Sequence, residues 1–448
     1  MAPRDMALYV DDRPKDGVFR LHRDIYADPE IFELEQKFIF QRSWNFLALE
    51  SQIVKPNDYV TAHIGRTPVL LMRDAKGVLG AFVNVCRHKG AILCGAEQGN
   101  AKYHVCPYHG WTYDAAGKNV DIKDRKNAAY LPAFERENHD LLRLARLESY
   151  KGLIFGSLSP DVASLEDFLG DMRFFIDVSM EQGPHGMEFI PGRMAYTYRA
   201  NWKLQLDNGL DPYHLTSTHQ SFIGVQARRR RGEGNQEARG YDWAKRTNTQ
   251  AGGFNFPHGH TVFWTDQSEA EKRPIYSQMA EIKRRVGDTR ADWMLKVRQA
   301  HIFPNMQIAE SAALMLRTFR PLAVDRTEMR SYCLAPIGES AERRAWRLRQ
   351  FEDFFNPSGM ATPDDTVVYE DCQIGFNAEG SPWLQGYERG MAAVTPGGND
   401  ISRSLGLTPS DSIIGTFETG LETCLHGVYR EWRRLIEAGL AGTKAATR

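Results

Sequence analysis

The chain has 448 residues, of which 42% are hydrophobic and 25% charged, a composition that excludes a disordered, fibrous or membrane-embedded polypeptide and points to two globular domains. Its 56 Lys and Arg nearly cancel its 57 Asp and Glu, so no overall field draws it to nucleic acid or an anionic membrane, and a small-molecule substrate is expected. The opening MAPRDMALYVDDRPKDG is too charged for a signal peptide, and no apolar run has spanning length, so a cytoplasmic location is expected.

Between residues 58 and 112, short β-branched and aromatic runs (YVTAHI, PVLLM, GAFVNV, YHVC) alternate with Gly, Pro, Asn and Asp, which predicts a small all-β domain closed by KGLIFGS at 151–157. Behind Ser164, SLEDFLGDMRFFIDVSM has helical spacing. Further on, AYTYRANWKLQ and LMLRTFRPL read as strands, and RRAWRLRQFEDFF and LETCLHGVYREWRRLIEAGL as helices. The fold class is therefore α+β: a small all-β domain, and a larger domain with an antiparallel sheet flanked by helices. The expected boundaries are 1–43 for a leading segment packed on the larger domain, 44–157 for the β domain and 158–448 for the larger one. The polar stretch 228–252, with its Arg228 to Arg231 run, reads as a solvated loop.

Six cysteines in so long a chain do not form a disulfide scaffold. Cys94, Cys333, Cys372 and Cys424 have no ligand partner near them in sequence and read as small buried apolar residues. Cys86 and Cys106 differ. Cys86-Arg87-His88-Lys89-Gly90 and Cys106-Pro107-Tyr108-His109-Gly110 each offer a thiolate and an imidazole from a short turn. Two Cys and two His suit tetrahedral zinc, or a [2Fe–2S] cluster in which two His replace two Cys on one iron. Composition does not separate the two, although the spacing is unlike a common zinc knuckle.

Cys-x-His, a spacer at 89–105 and Cys-x-x-His resemble the Rieske iron–sulfur domain. That resemblance implies that Cys86, His88, Cys106 and His109 hold the cluster, with the Cys on the inner iron and the His on the outer. Lys89 stands where the family commonly has Arg.

In the larger domain, Asp211-Pro212-Tyr213-His214 is followed by His219. Residues i and i+5 do not share a helix face, so both imidazoles meet one metal only if the helix is widened or broken there. An O2-activating mononuclear iron takes two His and one carboxylate on one face and keeps other positions open. The carboxylate must come from elsewhere, and Thr362-Pro363-Asp364-Asp365 is the best source. The same four residues also describe a helix start, with Thr362 as cap and Pro363 in the first turn.

From about Gly17 to the final helix, and above all in NWKLQLDNGLDPYH and RLRQFEDFFNPSGMATPDD, the chain is similar to the large subunits of Rieske non-haem iron ring-hydroxylating dioxygenases of the benzoate, anthranilate and halobenzoate group. The resemblance implies His214, His219 and Asp365 as ligands to a mononuclear Fe(II), Asp211 as a carboxylate bridging the two metal sites of neighbouring subunits, and Asn208 near the iron. Asp207 stands where many relatives have Glu and takes no role.

It further implies cis-dihydroxylation of an aromatic carboxylate with O2. No nicotinamide or flavin motif is present in the chain, so NADH acts through a separate reductase, with or without a ferredoxin. A homotrimer of large subunits, with or without a small β subunit, is implied as well. A carboxylate substrate calls for an Arg, and Arg317 and Arg320 on LMLRTFRPL are candidates. At i and i+3 they face opposite ways, so at most one serves, and ion pairing is the plainer role for both. Two alternatives stay open: a monooxygenase or demethylase on the same scaffold, and a zinc-stabilised binding protein.

Overall fold

A computed structural model describes residues 5–192, 194–234, 242, 249–417 and 421–446. Of the polar stretch 228–252, residues 235–241 and 243–248 lie outside the described residues. Two compact units emerge: Phe40–Leu165, and Met1–Ile39 together with Glu166–Arg448.

The unit Phe40–Leu165 is built from short antiparallel strands. One sheet runs in the order Leu79–Val83, Thr67–Arg73, Asp58–Ile64, Gln98–Asn100, and a second joins Asn119–Asp121, Thr112–Asp114 and Tyr103–Val105. In the third, Leu153–Ser157 lies between Arg146–Tyr150 and Asn45–Leu49. The predicted strands GAFVNV and YHVC both stop short, at Val83 and Val105, because the chain turns there into the loops that carry Cys86 and Cys106. Leu70, Met72, Phe82, Trp111 and Tyr113 pack with those two cysteines into one core.

The other unit is organised by a ten-stranded antiparallel sheet. Its central order is Arg326–Pro336, Leu314–Ala323, Met306–Glu310, Val297–Ile302, Thr261–Thr265, Gln250–Asn255 and Asp411–Thr416. The expected strand AYTYRANWKLQ is corrected by the structure. It ends at Tyr198, because the Asn201 side chain accepts from the Lys203 N–H and caps a helix, Trp202–Leu210. The helical run behind Ser164 is likewise split, into Leu165–Leu169 and Arg173–Met180, by a turn opening on Gly170 with φ +46°. Thr362 is not the cap of its helix: Ala361 holds that place, and the Thr362 hydroxyl donates instead to Phe355 O.

The leading segment is pinned to this unit by a buried charge. Helix Pro29–Phe38 presents Glu35, which pairs with Lys203 at 2.6 Å and accepts from the indoles of Trp202 and Trp432 at 2.8 and 2.7 Å. Asp207, one turn on from Lys203, accepts from Tyr26 and Tyr429 at 2.5 and 2.6 Å. Such paired and hydrogen-bonded charges are the form in which ions are tolerated inside a protein. All six cysteines are free thiols; Cys333 and Cys424 are buried as expected, whereas Cys94 and Cys372 are only partly so.

Candidate metal centres

In the β unit, the two Cys/His loops share one geometry. Gly90 N–H donates to Cys86 O at 3.1 Å and Gly110 N–H to Cys106 O at 3.0 Å, with φ of +76° and +72° at the two glycines. Each Cys N–H in turn donates to the residue after its glycine, Ala91 O and Trp111 O, both at 2.8 Å. A left-handed glycine closes each turn at little steric cost, which is why Gly follows both ligand pairs.

Cys86 and Cys106 are buried, and the rings of His88 and His109 lie 4.4 Å apart. The Nδ1 atoms of both histidines are buried without a hydrogen-bond partner. Two thiols and two orphaned imidazole nitrogens are the donor set a [2Fe–2S] cluster of mixed ligation requires. Burial pushes the Cys86 thiol up, while the Tyr113 hydroxyl 3.5 Å from its sulfur works the other way. Trp111 stacks on His88 with ring centres 5.0 Å apart and fixes that ring.

The second centre lies where a helix breaks. Trp202–Leu210 ends at Asp211, whose backbone is extended, and the short helix Leu215–Thr218 and the longer Gln220–Arg230 follow. His214 and His219 flank the short helix, so the interruption brings together two imidazoles that one regular helix would set apart. Asp365, in the first turn of Thr362–Gly375, lies between them: its Oδ1 is 3.1 Å from His219 Nε2 and 3.7 Å from His214 Nε2. The three ligand atoms all lie within 4.8 Å of one another.

The supporting groups are in place too. Asp211 Oδ2 lies 3.2 Å from His214 Nδ1, Asp364 Oδ2 lies 3.5 Å from His219 Nδ1, and the Asn208 amide donates to Asp365 Oδ1 at 3.1 Å. A carboxylate on Nδ1 leaves Nε2 free for a metal. Burial alone would raise the Asp365 carboxyl, but His219, His214 and Arg317 outweigh it and hold the group below its ordinary value. Burial would likewise lower His214, yet Asp211 and Asp365 raise it. A negative pocket with two imidazoles fits a divalent iron.

The triad opens on a cleft of about 660 Å³ with apolar walls from Phe263, Phe354, Phe355 and Phe417. Arg317 lines it. Its guanidinium donates to Thr362 Oγ1 at 3.3 Å and sits 5.3 Å from the Phe355 ring centre, while its Nε is buried and unpartnered. Arg320 does not reach the cleft: it turns to the opposite side of the strand and pairs with Glu328 at 3.2 Å, which removes it as a substrate residue. Gln299, Gln307 and Ser311 also line the cleft and were missed from sequence. For Gln299 and Gln307 the only signal was the inward alternation of strands whose register is set far away in the chain, and Ser311 lies just past the end of Met306–Glu310.

Two family models match: Rieske [2Fe-2S] domain over residues 43–136, and ring hydroxylating alpha subunit (catalytic domain) over residues 187–438. The chain belongs to the ring-hydroxylating alpha subunits. Among its relatives are the toluate 1,2-dioxygenase subunit alpha of Pseudomonas putida, 39% identical with 96% of each chain covered, and the 2-halobenzoate 1,2-dioxygenase large subunit of Burkholderia cepacia, 38% identical over 94% of this chain and 93% of the other. The anthranilate 1,2-dioxygenase large subunit of Acinetobacter baylyi is 38% identical over 96% of this chain and 92% of its own.

A crystal structure of naphthalene 1,2-dioxygenase from Rhodococcus sp. bound to indole superposes with a TM-score of 0.79 at 26% identity, covering 94% of each chain. As a ring-hydroxylating alpha subunit, this chain is a Rieske non-haem iron dioxygenase with a [2Fe–2S] domain and a catalytic iron domain. No helix among its described residues is long and apolar enough to cross a membrane.

Proposed function

We propose that this alpha subunit adds both atoms of O2 to adjacent ring carbons of an aromatic carboxylate, working in the cytoplasm with electrons from a separate NADH-dependent reductase. The balance is one arene, one O2, two electrons and two protons to one cis-diol. When bound, the cluster at Cys86, His88, Cys106 and His109 supplies single electrons, and the iron at His214, His219 and Asp365 supplies the centre at which O2 is activated.

The chain's own residues do the rest. Asp211 orients His214 through Nδ1, and Asn208 holds Asp365 through its amide. The phenylalanine walls keep water from the ring and strengthen every charge interaction inside.

Arg317 carries the substrate assignment. It is a buried cation in the same cleft as the triad, it forms no ion pair among the described residues, and Nε lacks a partner. A planar guanidinium so placed matches a carboxylate and leaves the ring against the phenylalanines. The relatives are named for toluate, 2-halobenzoate and anthranilate, all aromatic carboxylates. Their designation as alpha or large subunits supports assembly with a second, smaller chain, and we extend this to a trimer of large subunits in which Asp211 faces a neighbour's cluster.

The test is product analysis with reductase, NADH and O2, using benzoates against neutral aromatics of the same shape. The expected result is a cis-diol from the benzoates. Arg317→Met should lose roughly 30-fold or more in kcat/KM for them, as for one partner of a desolvated charge pair. Equal turnover of acid and neutral ring by wild type and variant alike would refute the carboxylate assignment.

A further inference from the structure

A row of polar side chains crosses the large sheet at one level. Asp411 is the register partner of Asn255, Asn255 of Thr261, Thr261 of His301, His301 of Gln307, and Gln307 of Arg317. Register partners in antiparallel strands point to the same face, with neighbouring Cβ atoms roughly 5 Å apart. That face is covered by two helices. Gly209 of Trp202–Leu210 packs on the Gln307 side chain, and Gly427 of Cys424–Ala446 packs on Asn255.

Every member is buried, and five of the six carry an unmet polar atom: Asn255 Oδ1, Thr261 Oγ1, both nitrogens of His301, Gln307 Oε1 and Arg317 Nε. Orphaned buried groups are rare and costly, and a whole file of them in one register is the arrangement that ordered water satisfies. The file has two ends. Asp411 holds Asn255 Nδ2 at 2.7 Å and lies 3.5 Å from Arg430, which is partly exposed. Gln307 lines the cleft of the iron triad.

Resting on the dioxygenase reading above, we propose that this file is a water-mediated proton path from Asp411, beside the partly exposed Arg430, to the cleft at Gln307. The reaction consumes two protons in a cleft partly walled by phenylalanines, and the file offers a route by which they arrive. Electrons arrive separately through the reductase, and no group of the file changes oxidation state. Burial depresses His301 to about 3, so the ring is neutral and can accept at one nitrogen while donating at the other.

Two measurements test this. A high-resolution crystal structure of the intact protein should show ordered waters bonded to Thr261 Oγ1, His301 and Gln307 Oε1; a dry file would overturn the proposal whatever the substrate. In the loaded enzyme, Thr261→Val and His301→Phe, the latter keeping the ring stacked on Phe319, should each lower kcat roughly 10-fold or more. Each should also enlarge the H2O/D2O ratio of kcat, with KM for the carboxylate and the cluster spectrum unchanged. Thr261→Ser should restore wild-type behaviour. An unchanged kcat and isotope ratio in both variants would overturn the path. Failure of the wild type to oxidise any benzoate would count against the function and leave the crystallographic test standing.

Discussion

Asp211 Oδ2 lies 3.2 Å from His214 Nδ1 and also accepts the His214 backbone N–H at 3.2 Å. The carboxylate therefore fixes both the position and the tautomer of one iron-site imidazole without occupying the metal position itself.

Asp211→Ala should leave iron bound while electron delivery to the catalytic site collapses. A loss of about 10- to 100-fold in turnover follows from removing such a supporting carboxylate, to be measured beside iron content. An Asp211→Ala enzyme that has lost its iron but keeps per-iron activity would assign the residue to metal retention alone.

Glu35 is the hub of the buried contacts between the leading segment and the catalytic unit. Glu35→Ala strands the Lys203 ammonium and two indole N–H groups, and should destabilise by about 3–5 kcal/mol in chemical denaturation. The double variant Glu35→Met, Lys203→Met should recover much of that loss, since no unpaired charge remains. If the double variant is no more stable than the single, the pair itself is the stabilising element.

Asp207 gives a pH signature. Burial among the tyrosines pushes its carboxyl up to about 7, against 3.8 unperturbed. The folded state thus holds a proton that the unfolded state has released, so this group's contribution is present below pH 4 and is lost as pH rises towards 7. Asp207→Asn should flatten the fall in Tm across that window by roughly a few degrees. Parallel Tm profiles for variant and wild type would contradict the shifted carboxyl.

What could be read from sequence follows the range of the interactions. The cluster loops were legible because each Cys, His and Gly lies within one turn. The break between His214 and His219 was legible because helical geometry forbids the alternative. Asp365 lies far from both histidines in the chain, and only family resemblance selected it over Asp364.

Alternation separated Arg317 from Arg320 but did not say which faced the cleft. Thr362 was misread as a cap because its hydroxyl goes to Phe355 O, a contact set by the preceding helix. The file from Asp411 to Arg317 was invisible, since its register depends on pairing across six strands.

The most direct test of the account is iron and acid-labile sulfide analysis, with visible and EPR spectra, on anaerobically purified wild type and His214→Ala. The expected result is about three irons and two sulfides per wild-type chain, with the variant losing one iron and keeping the cluster signal. Zinc without sulfide, or loss of the cluster signal in His214→Ala, would contradict two separate iron centres.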